Sequence, residues 1–314
     1  MRIGLITSCT NRKRQPAPPQ LRARNLGPGS IHVVATDWAN RVRGEQSRTR
    51  ARDLYGGRSF SEAKAASTIA GAALYIVSAG LGLVEADDLI PSYSLTVTGA
   101  DPDNVLARLV GSVSPKSWWS ALCAALQTTR PLTQLVSTKT DHLFILALPR
   151  SYFDLIAEEI QALPQEALRR LRIIGLSSIK AHIAPNVSSS VVVYDERLEV
   201  AGGSLSGTRS DFVQRAARHF LTTVLPDARV ASAQEHNRLV AAQLSPFKAP
   251  VRPIRSRLSD DALRAVIREF WDDTGGRVTA GLRLMRRDRQ LACEQSRFKR
   301  LFWEVAAEKG LRNG

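Results

Sequence analysis

Three features of the sequence predict an α/β protein with a mainly parallel central sheet flanked by helices, followed by a small C-terminal helical domain. Short, continuously apolar runs, as expected of strands buried on both faces, alternate with stretches of helical composition along most of the chain. Several of these runs empty into loops rich in small or charged residues, the place where open α/β sheets bind ligands. Beyond Leu244 the runs stop, a Pro- and Arg-rich stretch follows, and only helical patterns remain.

In order, Arg2 to Thr7 reads as a first strand, followed by the loop Ser8-Cys-Thr-Asn-Arg-Lys-Arg14. Residues Gln15 to Gly29, rich in Pro, Arg and Gly, read as an irregular loop, and Ile31 to Ala35 as a second short strand. Phe60 to Ala72 is helical in composition and Leu74 to Val77 is a strand. Asp103 to Gly111 and Pro115 to Leu126 read as helices, the second with its proline at the N-terminus. Leu143 to Leu148 is a strand, Tyr152 to Ala162 and Pro164 to Leu171 are helices, and Arg172 to Gly175 and Val191 to Tyr194 are strands. Ser210 to Val224 is a helix introduced by Gly207-Thr-Arg. Residues 1–244 therefore form the α/β domain, 245–257 a linker and 258–314 the helical domain. There, Ser259 caps a first helix running to about Asp272, Thr279 caps a second running to about Asp288, and a third spans about Glu294 to Glu308. The last two have helix-turn-helix spacing, and Arg297 and Arg300 on the third are candidates to meet DNA. The alternative is an amphipathic helix docked by Phe298, Leu301, Phe302 and Val305, with solvated charges.

Charge is the strongest bulk signal. A formal net charge of +15 over 314 residues, with arginine dominant over lysine, implies a polyanionic partner, DNA first among them. The segment Asn40 to Arg58 is especially basic. No run approaches a membrane span, the N-terminus does not read as a signal peptide, and three scattered cysteines predict a reduced, cytoplasmic protein without disulfides or structural zinc. No metal spacing, Walker sequence or dinucleotide glycine fingerprint is present, so neither a metal nor a cofactor is expected.

The candidate chemistry lies on two loops. Ile76-Val-Ser-Ala-Gly-Leu-Gly-Leu-Val-Glu-Ala-Asp-Asp-Leu-Ile-Pro-Ser-Tyr93 is a strand emptying into glycines and then acids. Asp88 and Asp87 are the leading catalytic candidates, because a carboxylate beside a sugar can orient water or stabilise an oxocarbenium-like transition state. The plainer reading makes Asp88 a turn cap. Ser78 and Gly80, where backbone can approach a ligand closely, and Tyr93 belong to the same expected pocket. On the first loop, Ser8 and Asn11 can bond a base edge or hold a water, and Arg12 and Lys13 can clamp phosphate. Cys9 is a suspect nucleophile, but no histidine lies near it in sequence and a buried cysteine is commonly inert. Tyr55, in Arg52-Asp-Leu-Tyr-Gly-Gly-Arg58, is either a base-stacking ring or a core tyrosine. Arg209 and Ser210 open a helix whose N-terminus suits phosphate.

Ser78 to Leu95 resembles the Ser-Gly-Leu-Tyr-Gly-Leu-Leu…Asp-Leu-Ile…Pro-Tyr signature of YaaA-like proteins, and Gly207-Thr-Arg-Ser-Asp-Phe-Val-Gln-Arg looks like a variant of their later arginine element. Ser8-Cys-Thr-Asn-Arg-Lys and Asp53-Leu-Tyr…Phe60 resemble the opening of that family's smaller relatives. The resemblance covers about residues 1 to 224, with long unmatched stretches. It implies DNA binding, a fold similar to uracil-DNA glycosylases, and kinship with bacterial anti-phage glycosylases that excise hypermodified, glucosylated cytosine. The Gly-Gln-Asp-Pro-Tyr-His element and the His-Pro-Ser loop of uracil-DNA glycosylases are not found, which leaves water activation open between Asn11 by position and Asp88 by chemistry. The expected function is a DNA glycosylase that flips a modified base and leaves an abasic site, in antiviral defence. The alternatives are a non-enzymatic DNA-binding or protective protein and a nucleic-acid base transferase.

Overall fold

The computed structural model describes residues 1–99, 101–201, 205–250 and 256–309. The chain divides into two compact units, residues 1–250 and 251–314, a boundary inside the stretch expected to be a linker. Residues 251–255 of that stretch, and 310–314 at the end of the expected helical domain, lie outside the described residues.

The first unit is built on a six-stranded sheet flanked by helices. Its strands are β1 (Arg2–Ser8), β2 (Ala73–Ser78), β3 (Gly82–Glu85), β4 (His142–Ala147), β5 (Leu171–Gly175) and β6 (Val191–Val193), in the order β3-β2-β1-β4-β5-β6. All neighbours are parallel except β2 and β3, which form an antiparallel hairpin. β1 lies centrally, with Ser8 beside Val77 and Thr7 beside Ala147, so the ends of β1, β2 and β4 share one carboxyl rim. Gly4 in β1 allows the close approach of β4, since a Cβ there would stand 2.6 Å from the Phe144 ring.

The helices that position the site are α1 (Ile31–Gly44), α2 (Arg58–Ala70), α3 (Pro115–Ala125), α4 (Arg150–Gln161), α5 (Phe212–His219) and α6 (Ala233–Leu244). α2 packs on α5, and α3 on both α1 and α4. The expected strand at Ile31 to Ala35 is instead the start of α1. Val34, Ala35, Trp38, Ala39 and Val42 are its buried residues, and their helical spacing around Trp38 outweighs the local β-branched content. The expected helix at Asp103 to Gly111 shrinks to a 3-10 turn, Val105–Arg108, because Asp103 is tied to Arg24 and Asn104 caps the turn. α6 was not expected. Its start was legible in Ser232 and Glu235, whose amide donates to the Ser232 hydroxyl.

The second unit has its own core of Leu263, Ile267, Phe270, Met285, Phe298 and Phe302, among others. Its main helices are Asp260–Glu269, Val278–Arg287 and Gln295–Glu308, and Ser259 caps the first. Arg277 rather than Thr279 is the N-cap of the second. The link between the last two is more than a short turn, because Leu291–Ala292 pairs in parallel with Ser256–Arg257. Among the described residues, no helix is long and apolar enough to cross a membrane.

Candidate active site at the carboxyl rim

The β2–β3 hairpin delivers Ser78 to the rim. Its Oγ accepts from the amides of Gly80 (3.3 Å) and Leu81 (3.0 Å) and lies 2.6 Å from the Tyr93 hydroxyl. With both acceptor positions of Ser78 filled by amides, the serine proton goes to Tyr93. Tyr93 then donates to the Tyr55 hydroxyl at 2.9 Å, which leaves Tyr55 with a proton to give. Burial is the main cause that pushes both phenols above their ordinary pKa, with nearby Cys9 adding to it, so they act as hydroxyls rather than phenolates.

Gly80 is required at this point. A Cβ there would meet the Tyr93 ring at 2.7 Å and Trp38 at 3.3 Å. The hairpin tip is held by two indoles: Trp38 Nε1 donates to the Gly80 carbonyl (2.7 Å) and Trp118 Nε1 to that of Ala79 (2.8 Å).

The loop after β1 brings the amine. Residues 12–14 run beside 54–56, held by Arg14 N to Leu54 O (2.9 Å) and Gly56 N to Arg12 O (2.8 Å). Lys13 Nζ therefore sits 3.9 Å from the centroid of the Tyr93 ring and 5.7 Å from that of Tyr55, and donates to the Thr10 carbonyl at 3.1 Å. Burial lowers the Lys13 pKa, against a weaker upward pull from Cys9 and Asp103. Ser8, at the end of β1 beside Val77, is buried. Cys9 is buried too, its sulfur 3.1 Å from the Tyr152 hydroxyl, so its partner is a phenol and not a base. Asn11 and Arg12 are exposed on the outer side of the loop.

Of the residues singled out in the sequence, the fold brings Cys9, Lys13, Tyr55, Ser78, Gly80 and Tyr93 to one rim, with Ser8 at the end of β1 beside Val77. Stacking by Tyr55 is corrected. The ring is fully buried, tilted against Phe60 and edge-on to Tyr93, so it offers its hydroxyl and no free face.

The catalytic role of Asp87 and Asp88 is corrected as well. Because β3 is antiparallel, Glu85 lies opposite Tyr75 while Gly82 lies opposite Ser78. Both aspartates lie beyond Glu85, more than roughly 10 Å down the sheet from Ser78 at about 3.3 Å per residue. Both are exposed. Asp88 Oδ2 accepts from the Glu85 amide (2.8 Å), closing a turn, and Asp87 pairs with Arg52 (2.9 Å).

A second approach to the rim comes from α5. Gln214 Nε2 donates to the Ala147 carbonyl at 3.2 Å, while its Oε1 is buried without a partner among the described residues. One turn earlier, buried Asp211 accepts from Thr208 N (2.9 Å) and Arg215 Nε (2.7 Å) and pairs with Arg58 Nε (3.0 Å), tying the loop before α5 to the start of α2. Arg209 and Ser210 are exposed on that loop, and α2 starts at Gly57 (φ 87°) without a side-chain cap. Tyr152, Asp211 and Gln214 were missed. Gln214 alone carried a signal, as a polar residue flanked by buried positions of an amphipathic helix.

Much of the basic surface expected to grip DNA is committed internally. Arg41 pairs with Asp37, Arg52 with Asp87 and Arg58 with Asp211. In the second unit, Arg297 and Arg300 share Asp260, and Arg300 also reaches Glu304, so a DNA phosphate would compete with these carboxylates for them. Among the described residues no group of three or more His, Cys, Asp or Glu could hold a metal ion. No family model, curated protein or solved structure matches this chain.

Proposed function

We propose that the first unit is a DNA glycosylase acting on a flipped, modified base, with hypermodified phage cytosine as the substrate suggested by the resemblance to YaaA-like proteins. The observation that carries the reading is the half-buried amine of Lys13, 3.9 Å over the Tyr93 ring and so beside a chain of hydroxyls, Ser78 to Tyr93 to Tyr55, at the carboxyl rim of a mainly parallel sheet. In this reading catalysis acts on the leaving base. As the N-glycosidic bond breaks, electrons move onto the base, which Lys13 protonates and the Tyr55 hydroxyl hydrogen-bonds. A lysine whose pKa burial has lowered gives up its proton more readily than an exposed one. Asn11, exposed on the same loop, is the candidate to orient water. Arg12, Arg209 and the uncapped start of α2 are the candidates to hold the flanking phosphates.

The test is incubation with plain cytosine duplex and with duplex carrying glucosylated hydroxymethylcytosine, scored by alkali-labile abasic sites. Release of the modified base with no scission of plain DNA is the expected result. Binding without abasic sites on any modified substrate rejects the enzyme reading in favour of a DNA-binding protein. Incorporation of labelled free base points instead to a transferase.

A further inference from the structure

The amino rim of the same sheet, at the other end from the hydroxyl chain, holds a cavity of about 530 Å³. Arg169, Arg170, Arg172 and Arg229 line it, and no aspartate or glutamate does. Arg172 stands out because it is only 4% exposed. Its guanidinium donates to His236 Nδ1 (2.7 Å) and to the carbonyls of Arg169 (2.8 Å), Leu171 (2.7 Å) and Ala231 (2.6 Å). His236 Nε2 in turn bonds the Ala228 carbonyl at 2.9 Å, which fixes it as the neutral tautomer, with Nδ1 accepting. Every acceptor of Arg172 is therefore uncharged. Four of its five N–H groups are met, one on Nη2 is left over, and its charge has no carboxylate partner; burial accordingly pulls its pKa down to about 10.

Another wall of the cavity is the start of α6. Ser232, its N-cap, and the first-turn residues Ala233 and Gln234 line the space, so the positive end of a twelve-residue helix faces it. A buried guanidinium without a carboxylate and a helix N-terminus thus converge on one cavity, and each favours an anion independently. The remaining lining mixes apolar Leu143, Leu168 and the 91% exposed Val230 with polar Gln165, Ser189 and Ser190. The volume lies in the usual range of small-ligand sites, about 300–1,000 Å³.

We infer that this amino-rim cavity binds a phosphorylated small molecule of mononucleotide size, its phosphate held by Arg172, its neighbouring arginines and the start of α6, and its ring body against Leu143, Leu168 and Val230. A duplex backbone is a poorer fit, because a cavity admits an end group more readily than a continuous chain. The site is separate from the proposed base-excision site and stands whether or not that reading holds.

Isothermal titration of the full chain at physiological salt tests it, with inorganic phosphate, deoxycytidine 5′-monophosphate and a single-stranded oligonucleotide as probes. The variants are Arg169→Glu combined with Arg229→Glu, both exposed, and a control of equal charge change, Arg283→Glu combined with Lys299→Glu, in the second unit. The mononucleotide is expected to bind at one site and at least tenfold more tightly than inorganic phosphate. The cavity variant is expected to weaken it tenfold or more while melting normally without ligand, and the control to leave it unchanged. Equal weakening by both variants means non-specific attraction to a basic chain and overturns the inference. So does an affinity for inorganic phosphate equal to that for the mononucleotide, a cavity variant that weakens the oligonucleotide as much as the mononucleotide, or no binding of the mononucleotide.

Discussion

The two rims of the central sheet are both cationic, and they hold their charge in opposite ways. At the carboxyl rim the cation is one amine, Lys13, resting on the face of Tyr93 beside a chain of hydroxyls. At the amino rim the cations are guanidiniums gathered around Arg172, whose partners are carbonyls and a neutral imidazole. An amine with a lowered pKa can exchange a proton with a ligand, whereas a guanidinium stays protonated and can only hold one. The contrast teaches that a net charge of +15 is not one undifferentiated field. Arg41, Arg52, Arg215, Arg297 and Arg300 each face a carboxylate of the same chain, so the charge left for ligands is local and chemically distinct at each rim.

The largest effect expected from breaking this comparison is at Lys13. Replacing Lys13 with Gln removes the proton donor and should slow base excision by about 10²–10⁴-fold, as general-acid loss does, while DNA affinity changes only a few-fold. Lys13→Arg should not restore the rate, because a guanidinium does not give up its proton. The sign of the pH dependence follows from burial. A lowered pKa means that the donor form is lost earlier as pH rises, so excision should decline with alkali below the pH at which an ordinary lysine titrates. Abasic-site formation measured across pH checks both statements, and a residual Lys13→Gln rate that still shows the alkaline decline removes Lys13 from the chemistry.

A smaller effect is expected at Gly80, which sets the distance between hairpin and tyrosine. Gly80→Ala pushes a methyl group into the Tyr93 ring and should cost ~1–3 kcal/mol in denaturant unfolding, the range of overpacked sites. Gly44→Ala is the matched control, since a Cβ there meets nothing within 4 Å and the position closes a helix. A Gly80→Ala protein as stable as the control would mean that the hairpin is free to move away from Tyr93.

Asp103 sharpens the picture through acid stability. Burial opposes its ionisation, but the Arg24 guanidinium and amide and the Ser94 hydroxyl outweigh it and hold the carboxyl at about 2, below its ordinary 3.8. A depressed folded pKa gives stability that is complete above the unfolded value and lost as pH falls through the folded one. The melting temperature should therefore drop between about pH 4 and pH 2, and Asp103→Asn, already lacking the ion pair, should show a flatter profile across that window.

Much of the sheet was legible because strands buried on both faces need unbroken apolar runs, and Arg2 to Thr7, Leu74 to Val77 and Leu143 to Leu148 supply them. Ile31 to Ala35 misled because a short β-branched run looks the same at the start of a helix; only Trp38 and Val42, further along, set the helical period. Within the site, residues close to strand ends were readable from local order. Lys13 follows β1 and Ser78 ends β2, so both were placed by the topology of a parallel sheet. Gln214 and Asp211 reach the rim from a helix late in the chain, a pairing that no local pattern encodes.

The smallest effect is expected where sequence chemistry looked strongest. Ser78 and Asp88 belong to one motif, but a glycine at position 82 with φ 73° turns the chain back, and every residue after it moves away from the rim as β3 descends. The carboxylate of Asp88 then serves its own turn, accepting the Glu85 amide. Asp88→Ala should cost about 0.5–1.5 kcal/mol, the net worth of one hydrogen bond, and leave excision within about twofold of wild type. Asp88→Asn keeps an acceptor oxygen for the Glu85 amide and should recover most of the lost stability. A loss of excision in both variants with stability intact would return the carboxylate to the chemistry, and would require the descending strand to detach from β2 and carry Asp88 to Lys13 when DNA binds.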